Sequence, residues 1–307
     1  MFSTTRPNEK ARGPAGAARA GMRLAANLAA NLAASLAASL AASLAASLAA
    51  SLVFCAAPAR ADPCRLGRGE PVAATQVSER LEVAFADGRR ARLAGLEASR
   101  PRGADPALAA EAAADLAQWI VGAPLDWVAT AGGAPDRWGR VAGALFLGGP
   151  DAAGLPSLAQ ALVEAGHARV DPLGAAGPCL AVLYGAEARA RAAGRGLWAD
   201  PAQAALNGAD AAAFASRGGQ IVLVEGRVAS VAASRGRTYV NFGGRGDPAL
   251  VLTPTQVRAL ERAGRPPASW AGRHLRARGL AELRAAGPRV SPVSAEAVEL
   301  VEARASR

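Results

Sequence analysis

Short strand-like runs separated by turn residues occupy most of the chain after residue 70. RLEVAFA (80–86) and RARLAGL (90–96) flank Asp87-Gly88, and Asp-Gly between alternating apolar residues is a strong signal for a β-hairpin. Further strand-like runs are LDWVATA (125–131), RVAGALFLG (140–148) and HARVD (167–171). This succession predicts a mainly β chain organised around a five-stranded barrel.

Helical runs lie between these strands. PALAAEAAADLAQWIVG (106–122) predicts a helix with Asp105 as its N-cap. SLAQALVEAG (157–166) and AVLYGAEARARAAG (181–194) predict two more helices. We therefore expect an α+β domain over residues 62–201, in which helices flank the barrel.

A second domain is expected after a short linker. Residues 202–219 are rich in Ala, Asn, Gly and Asp, which is typical of a linker. The strand-like runs within residues 220–303 are QIVLVEGRVASVAAS, RTYVNFGG, ALVLT, RHLRARGLAEL and AEAVELVEA. A helical run, TPTQVRALERAG (253–264), begins at the end of the third of these strands. This order predicts a second, small, partly open β-barrel of the OB type.

Residues 1–61 have the composition of an export signal. Five basic residues precede an Ala-rich segment in which Leu recurs every four residues from Leu24 to Leu52. The segment leads to APARA, which ends at Ala61 and has small residues where a signal peptidase requires them. We expect cleavage near Ala61 and a periplasmic or secreted protein. Because an apolar run longer than about 20 residues can span a bilayer, an uncleaved membrane anchor is the alternative.

Export affects how the cysteines are interpreted. Cys55 lies in the leader, so the mature chain would keep Cys64 and Cys179 in an oxidising compartment. An even pair there predicts a disulfide that pins the mature N-terminus. The alternative is two unrelated buried thiols.

The net charge of +10 is unevenly distributed along the chain. Residues 62–205 hold 14 Arg and 16 acidic residues, whereas residues 206–307 hold 15 Arg and 8 acidic residues, a net charge of +7. Electrostatic attraction to nucleic acid is therefore expected mainly in the second of these segments.

One strand of that basic segment has a face suited to single-stranded nucleic acid. If RGRTYVNF (235–242) is a strand, Arg237, Tyr239 and Asn241 point to the same side. An arginine, an aromatic ring and an amide on one barrel face suit stacking of unpaired bases. The alternative is a core tyrosine, with Asn241 hydrogen-bonded in a turn.

Other residues with possible chemistry have simpler interpretations. Neither His167 nor His274 has Cys or Asp at ligand spacing, so both are interpreted as structural. The tryptophans Trp127, Trp138 and Trp198 are interpreted as core or edge packing. GGRGD (243–247) lacks the Gly-Lys-Ser/Thr ending of a phosphate loop and is interpreted as a turn.

Four ordered motifs carry a family resemblance. They are DGRRARLAGLEA, DRWGRVAGALFL, SLAQALVEAGHARVDP and EARARAAGRGLWADP. Their order resembles the staphylococcal nuclease-like (thermonuclease, TNase-like, SNase-like) domain over roughly residues 70–201. The resemblance implies an OB-fold barrel and a calcium-dependent nuclease with metal-binding carboxylates, a glutamate base and two phosphate-binding arginines. In the second domain, YVNFGG followed by a W-GR-LRARG pattern is similar to an OB-like module found beside degenerate nuclease domains.

The resemblance places Arg92 and Arg140 on the two phosphate-binding positions. A guanidinium suits this role because its planar, permanently charged fork contacts two phosphoryl oxygens. Each arginine could instead pair with a nearby acid such as Glu97 or Asp136. Glu97 stands where the family usually has a metal-binding aspartate, so the resemblance implies Glu97 as a Ca²⁺ ligand.

The remaining catalytic positions differ from the family pattern. The usual proline and glutamate are replaced by Ser99 and Arg100, and an arginine accepts no proton from water. The usual Asp-Gly-Asp-Thr run before the hairpin is replaced by VSERLEV (77–83), in which Glu79 or Glu82 could supply an oxygen only after a register shift. Because Ca²⁺ needs six to eight oxygen ligands, we expect weak or absent calcium binding.

These observations predict an exported, catalytically degenerate SNase-like protein that binds nucleic acid, another phosphate-bearing ligand or a protein partner. One alternative is a weak metal-dependent phosphodiesterase that uses Arg92, Glu97 and Arg140. Another is an envelope scaffold in which both barrels contact only proteins.

Overall fold

A computed structural model describes residues 62–98, 106–148, 155–175 and 177–301. The fold is mixed α+β and mostly β, with a curled half-barrel sheet and few helices. The expected leader and its cleavage site near Ala61 lie outside the described residues. Among the described residues, no helix combines the length and the apolar character needed to span a bilayer.

The N-terminal half, residues 62–201, contains two sheets. Its strands are β1 (Glu70–Val72), β2 (Ala74–Val77), β3 (Glu82–Phe85), β4 (Arg90–Leu93), β5 (Leu96–Ala98), β6 (Leu125–Ala129), β7 (Arg140–Leu147) and β8 (Ala168–Val170). Six of them form one sheet in the order β1-β6-β7-β4-β3-β2, and β5 pairs with β8 in a separate ribbon. This half therefore has eight described strands where five were expected. β1 and β2 show no regular alternation of buried and exposed residues, and β5 begins within the run 90–96 that was expected as one strand.

The hairpin predicted around Asp87-Gly88 is confirmed. β3 and β4 pair antiparallel, with Val83 opposite Ala91. Gly88 has φ of +87°, a left-handed conformation that favours glycine at the turn. Val83 and Ala91 are buried, so the residues that alternate with them on each strand face outward.

Three helices accompany the described part of this half: α1 (Pro106–Ile120), α2 (Leu158–Ala165) and α3 (Gly177–Ala192). α2 begins after Ser157, whose Oγ accepts a hydrogen bond from the backbone N–H of Gln160. Helix α3 starts four residues before the predicted run, at Gly177. The core beneath these helices is built on large, fully buried side chains, among them Trp127, Phe146, Leu116, Leu162 and Leu183.

The C-terminal half, residues 202–301, contains one sheet and one α-helix. Its elements are β9 (Leu206–Asn207), β10 (Ile221–Arg227), β11 (Ser230–Ser234), β12 (Arg237–Asn241), β13 (Ala249–Leu252), α4 (Pro254–Arg262), β14 (His274–Glu282), β15 (Arg289–Pro292) and β16 (Val298–Val301). The sheet order is β11-β12-β13-β15-β14-β10-β9, and β16 pairs with β14. α4 begins with a capping box between Thr253 and Gln256.

Two details of this half differ from the sequence-based expectations. The segment 220–234, expected as one strand, divides into β10 and β11. Helix α4 therefore follows four strands, β10 to β13, instead of the three expected. Strand β15 was not predicted. Residues 202–219, expected as a linker, include β9, which pairs in parallel with β10. Phe214 in the same segment is fully buried and belongs to the core of this half together with Trp270.

Candidate functional site

Three arginines line one concave pocket on the N-terminal half. We call it the arginine pocket; it has a volume of about 390 Å³ and is lined by Arg80, Leu81, Glu82, Arg92, Leu93, Leu96, Ala98 and Arg140. Arg92 faces outward because its β4 neighbours Ala91 and Leu93 are buried. β4 and β7 run parallel with Arg90 opposite Arg140, which brings Arg140 to the same edge. The structure therefore brings Arg92 and Arg140 together, as the resemblance implied.

Arg140 is held by two carboxylates. Its Nη1 donates to Glu82 Oε1 at 2.6 Å, and its Nε and Nη2 donate to Asp136 Oδ2 at 2.9 and 2.7 Å. The hydrogen bond from the Arg140 side chain lowers the pKa of Asp136 to about 2. The pKa of Arg140 is raised, mainly by its hydrogen bond to Asp136 and to a smaller extent by its hydrogen bond to Glu82. The charge of Arg140 is thus neutralised within the protein, in part by the acid that the sequence suggested as its partner.

The guanidinium groups of the other two arginines of the pocket, Arg92 and Arg80, have fewer acidic partners. Arg92 Nη1 lies 3.6 Å from Asp171 Oδ2, which is a charge contact longer than a hydrogen bond. Arg80 is exposed, and its guanidinium makes no ion pair with another described residue. Both guanidinium groups therefore keep N–H donors for an anionic ligand.

Glu97 does not belong to the arginine pocket. It lies on β5 opposite Arg169 of β8, and it lines a different pocket together with Arg169. Its neighbours Leu96 and Ala98 face the arginine pocket, so the alternation of a strand turns Glu97 to the other side. The structure does not bring Glu97 together with Arg92 and Arg140, contrary to what the resemblance implied.

The donor set that the described residues provide around the arginine pocket does not fit Ca²⁺. The pocket's carboxylate, Glu82, is ion-paired with Arg140, and Glu97 faces elsewhere. Within residues 62–98, 106–148, 155–175 and 177–301, no three His, Cys, Asp or Glu side chains cluster as a metal site. Ca²⁺ binding takes several anionic oxygens free of competing cations. Ser99 and Arg100 lie outside the described residues.

Trp138 lies beside the arginine pocket and was missed as a candidate. Its side chain is 53% exposed, although the sequence suggested core or edge packing. The guanidinium carbons of Arg137 and Arg140 lie 3.9 and 4.6 Å from its ring centroid. The sequence signal that could have found it is the aromatic residue in the polar turn DRWGR, directly before the strand that carries Arg140.

The predicted face of β12 is present in the C-terminal half. Val240 is fully buried, so Arg237, Tyr239 and Asn241 lie on the opposite side of the strand. Tyr239 is half-buried, and the guanidinium carbon of Arg289 lies 6.0 Å from its ring centroid. Asn241 Nδ2 donates to Ser230 Oγ across the strand pair at 3.1 Å, which is a contact between strands and not within a turn.

Cys64 and Cys179 form a disulfide, with Cα atoms 4.4 Å apart. Both residues are buried, and the bridge connects the start of the described chain to α3.

The remaining candidates have structural contacts. GGRGD is a turn in which Asp247 Oδ2 accepts a hydrogen bond from the Gly244 N–H at 2.7 Å. The histidines lie against acids: His167 Nε2 is 2.8 Å from Asp115 Oδ2. His274 Nε2 is 3.3 Å from an oxygen of a β10 glutamate.

Comparison of the sequence with models of known protein families found no match, and no curated protein matched the chain. The resemblance to the staphylococcal nuclease-like family therefore rests on the four ordered motifs of the sequence.

Proposed function

We propose that this protein is exported and binds single-stranded nucleic acid without cleaving it. In this proposal the N-terminal half is a staphylococcal nuclease-like barrel of the OB type that has lost its catalytic groups. The C-terminal half is an OB-like barrel that supplies most of the electrostatic attraction.

The distribution of charged partners in the arginine pocket carries the proposal. Arg80 and Arg92 keep donors that suit phosphate oxygens, because a guanidinium binds phosphate through parallel N–H groups. Glu82 is ion-paired with Arg140, which leaves it a poor metal ligand and a poor base. Phosphate binding needs only the free guanidinium donors, whereas phosphodiester cleavage needs a metal or a base as well.

Two partly exposed aromatic side chains favour an unpaired strand as the ligand. Trp138 lies beside Arg140, and Tyr239 lies beside Arg289, so each half pairs a ring with a cation. Unpaired bases stack on aromatic rings while cationic side chains follow the phosphates. The +7 charge of residues 206–307 supports the same conclusion, since attraction to polyanions is set by net local charge.

A paired binding and cleavage assay on the purified protein tests this proposal. We expect a fluorescently labelled single strand to bind with an affinity that falls as salt rises, and to remain intact with or without Ca²⁺. Arg92→Gln should weaken binding, whereas Arg189→Gln, which removes an exposed arginine paired with Glu164, should leave binding unchanged.

The same assay distinguishes the alternatives. Calcium-dependent cleavage that Arg92→Gln abolishes would overturn the proposal in favour of an active phosphodiesterase. An absence of binding at low salt would overturn it in favour of a scaffold that contacts only proteins.

A further inference from the structure

A second pocket lies between the two halves of the molecule, on the side of β5 opposite the arginine pocket. It has a volume of about 180 Å³. One wall comes from the β5–β8 ribbon, with Glu97 and Arg169, and the other from residues 202–223 of the C-terminal half. We call it the interface pocket. This volume is below the about 300–1,000 Å³ typical of pockets for drug-sized ligands, so we expect a smaller ligand.

Glu97 brings an unpaired carboxylate to this pocket. It makes no hydrogen bond and no ion pair with another described residue. Arg169, its cross-strand partner, is close enough to act on it electrostatically, yet the two groups form no salt bridge. Glu97 is exposed to solvent although its surroundings partly desolvate it, and a ligand that supplies an ammonium group would give this carboxylate a charged partner.

Two arginines bring positive charge to the same pocket. Gln203, which is 3% exposed, accepts a hydrogen bond from Arg169 Nη2 through its Oε1. Arg217 Nη2 donates to the backbone carbonyl of Ala202 at 3.0 Å. Arg169 Nε is buried and has no acceptor among the described residues. The two guanidinium groups are therefore held in place by neutral acceptors and remain short of an anion.

The rest of the lining includes aliphatic side chains. Leu206 is half-buried and Ile221 is 42% exposed although it lies in a strand, whereas Val222 and Leu223 are nearly fully buried. A ligand with a short apolar side chain would cover part of this surface, which favours binding by removing apolar area from water. The pocket thus combines a free carboxylate, two incompletely paired guanidinium groups and an apolar wall.

We propose that the interface pocket binds a small zwitterion, namely an α-amino acid with an aliphatic side chain. Its ammonium group contacts Glu97, its carboxylate contacts Arg169 and Arg217, and its side chain lies against the aliphatic wall. Gln203 is a positioning residue for Arg169. The proposal is independent of nucleic-acid binding, because none of these residues lines the arginine pocket.

Calorimetric titration of the purified protein with three matched probes tests the proposal. Leucine carries both charges, 4-methylpentanoic acid lacks the ammonium group, and 3-methylbutylamine lacks the carboxylate. We expect leucine to bind with a Kd below about 1 mM and each single-ended analogue to bind at least about tenfold more weakly. Binding of 4-methylpentanoic acid as tight as that of leucine would overturn the proposal in favour of a simple anion site.

Variants assign the binding to this pocket. Glu97→Gln and Arg217→Gln should each raise the Kd for leucine by about tenfold or more, since each removes one charged contact. Glu164→Gln, which alters an exposed ion pair on α2, is the charge-matched control and should leave the Kd unchanged. No heat of binding with leucine at about 10 mM, or a Kd that Glu97→Gln does not change, would overturn the proposal.

Discussion

Arg278 of β14 and Glu187 of α3 form a buried ion pair that connects the two halves of the molecule. The two residues are 5% and 1% exposed. Arg278 Nη1 also donates to Glu187 Oε1 at 3.2 Å and to the Val170 carbonyl at 3.4 Å, and the Val170 N–H donates to the same Glu187 Oε1 at 3.0 Å. The pair therefore joins helix α3 and strand β8 of one half to a central strand of the other.

Removing one partner of this pair should destabilise the whole described fold. Glu187→Gln removes the hydrogen-bonded counter-charge of the buried Arg278 guanidinium, and losses of about 3–5 kcal/mol are typical of such a change. Urea unfolding of the purified variant measures the loss. Glu164→Gln is the control, because the Glu164–Arg189 pair is exposed and such pairs contribute about 0–1 kcal/mol. Equal losses for the two variants would show that the buried pair does not join the halves energetically.

The disulfide should contribute strongly to stability. Cys64 and Cys179 are 115 residues apart, and closing so long a loop in the unfolded chain is worth up to about 5 kcal/mol in the chain-entropy description. A Cys64→Ser, Cys179→Ser double variant should unfold at lower urea concentration than the wild type. Reductant should lower the wild-type midpoint towards that of the variant and leave the variant unchanged. Labelling of both cysteines in non-reduced wild-type protein would contradict the bridge.

Glu97→Gln should stabilise the protein at neutral pH. Partial desolvation beside the interface pocket raises the pKa of Glu97 above its ordinary value of 4.5, although the residue is exposed to solvent and the charge of Arg169 acts in the opposite direction. A carboxyl whose pKa is raised on folding destabilises the folded state once it ionises, so its cost is absent below pH 4.5 and grows as pH rises through the folded pKa. The gain from Glu97→Gln should therefore be present at pH 7 and disappear near pH 4. A gain independent of pH would contradict this account. Loss of leucine binding in a variant that is more stable would separate the binding role of Glu97 from a structural one.

Tyr239→Ala should weaken binding of a single-stranded oligonucleotide by about 1–3 kcal/mol if the ring stacks on a base. Tyr239→Phe keeps the ring and should bind like the wild type. Fluorescence anisotropy over a series of salt concentrations provides a second readout. Because stacking involves no phosphate, the salt dependence should be the same for Tyr239→Ala and the wild type, whereas Arg237→Gln should reduce it. Weak binding by Tyr239→Phe as well would argue against stacking.

If the protein is exported as proposed, the mature chain should begin at Asp62. The first described residues contact the rest of the domain. Asp62 Oδ2 accepts a hydrogen bond from the Ser157 N–H at 3.2 Å, and Cys64 forms the disulfide with Cys179. Cleavage just before Asp62 would therefore leave these contacts intact. The intact mass of protein recovered from the cell envelope measures the cleavage site. A mass corresponding to residues 1–307 would instead favour an uncleaved anchor.

Local patterns in the sequence determined the individual elements. The Asp87-Gly88 hairpin, the cap at Ser157 and the alternation of Tyr239 with Val240 all depend on residues within a few positions of one another. Turn conformation, capping and strand alternation are short-range effects, so they can be predicted without the fold.

The grouping of the charged residues was decided only by the tertiary structure. RARLAGL was expected to be one strand, but β4 ends at Leu93 and β5 begins at Leu96, with Gly95 between them at φ of +78°. This break resets the alternation and turns Glu97 into the interface pocket, away from Arg92. A side chain at position 95 would meet Leu183 of α3, so packing against the helix contributes to the break.

The choice of ion-pair partners also depended on the tertiary structure. Glu82 and Arg140 are 58 residues apart, and Glu187 and Arg278 are 91 residues apart. Partners at such separations are chosen by strand register and by the packing of one half against the other, which a local pattern of residues does not encode. The sequence alone thus determined which charges the chain carries, while the fold decided which of them are neutralised and which remain available to a ligand.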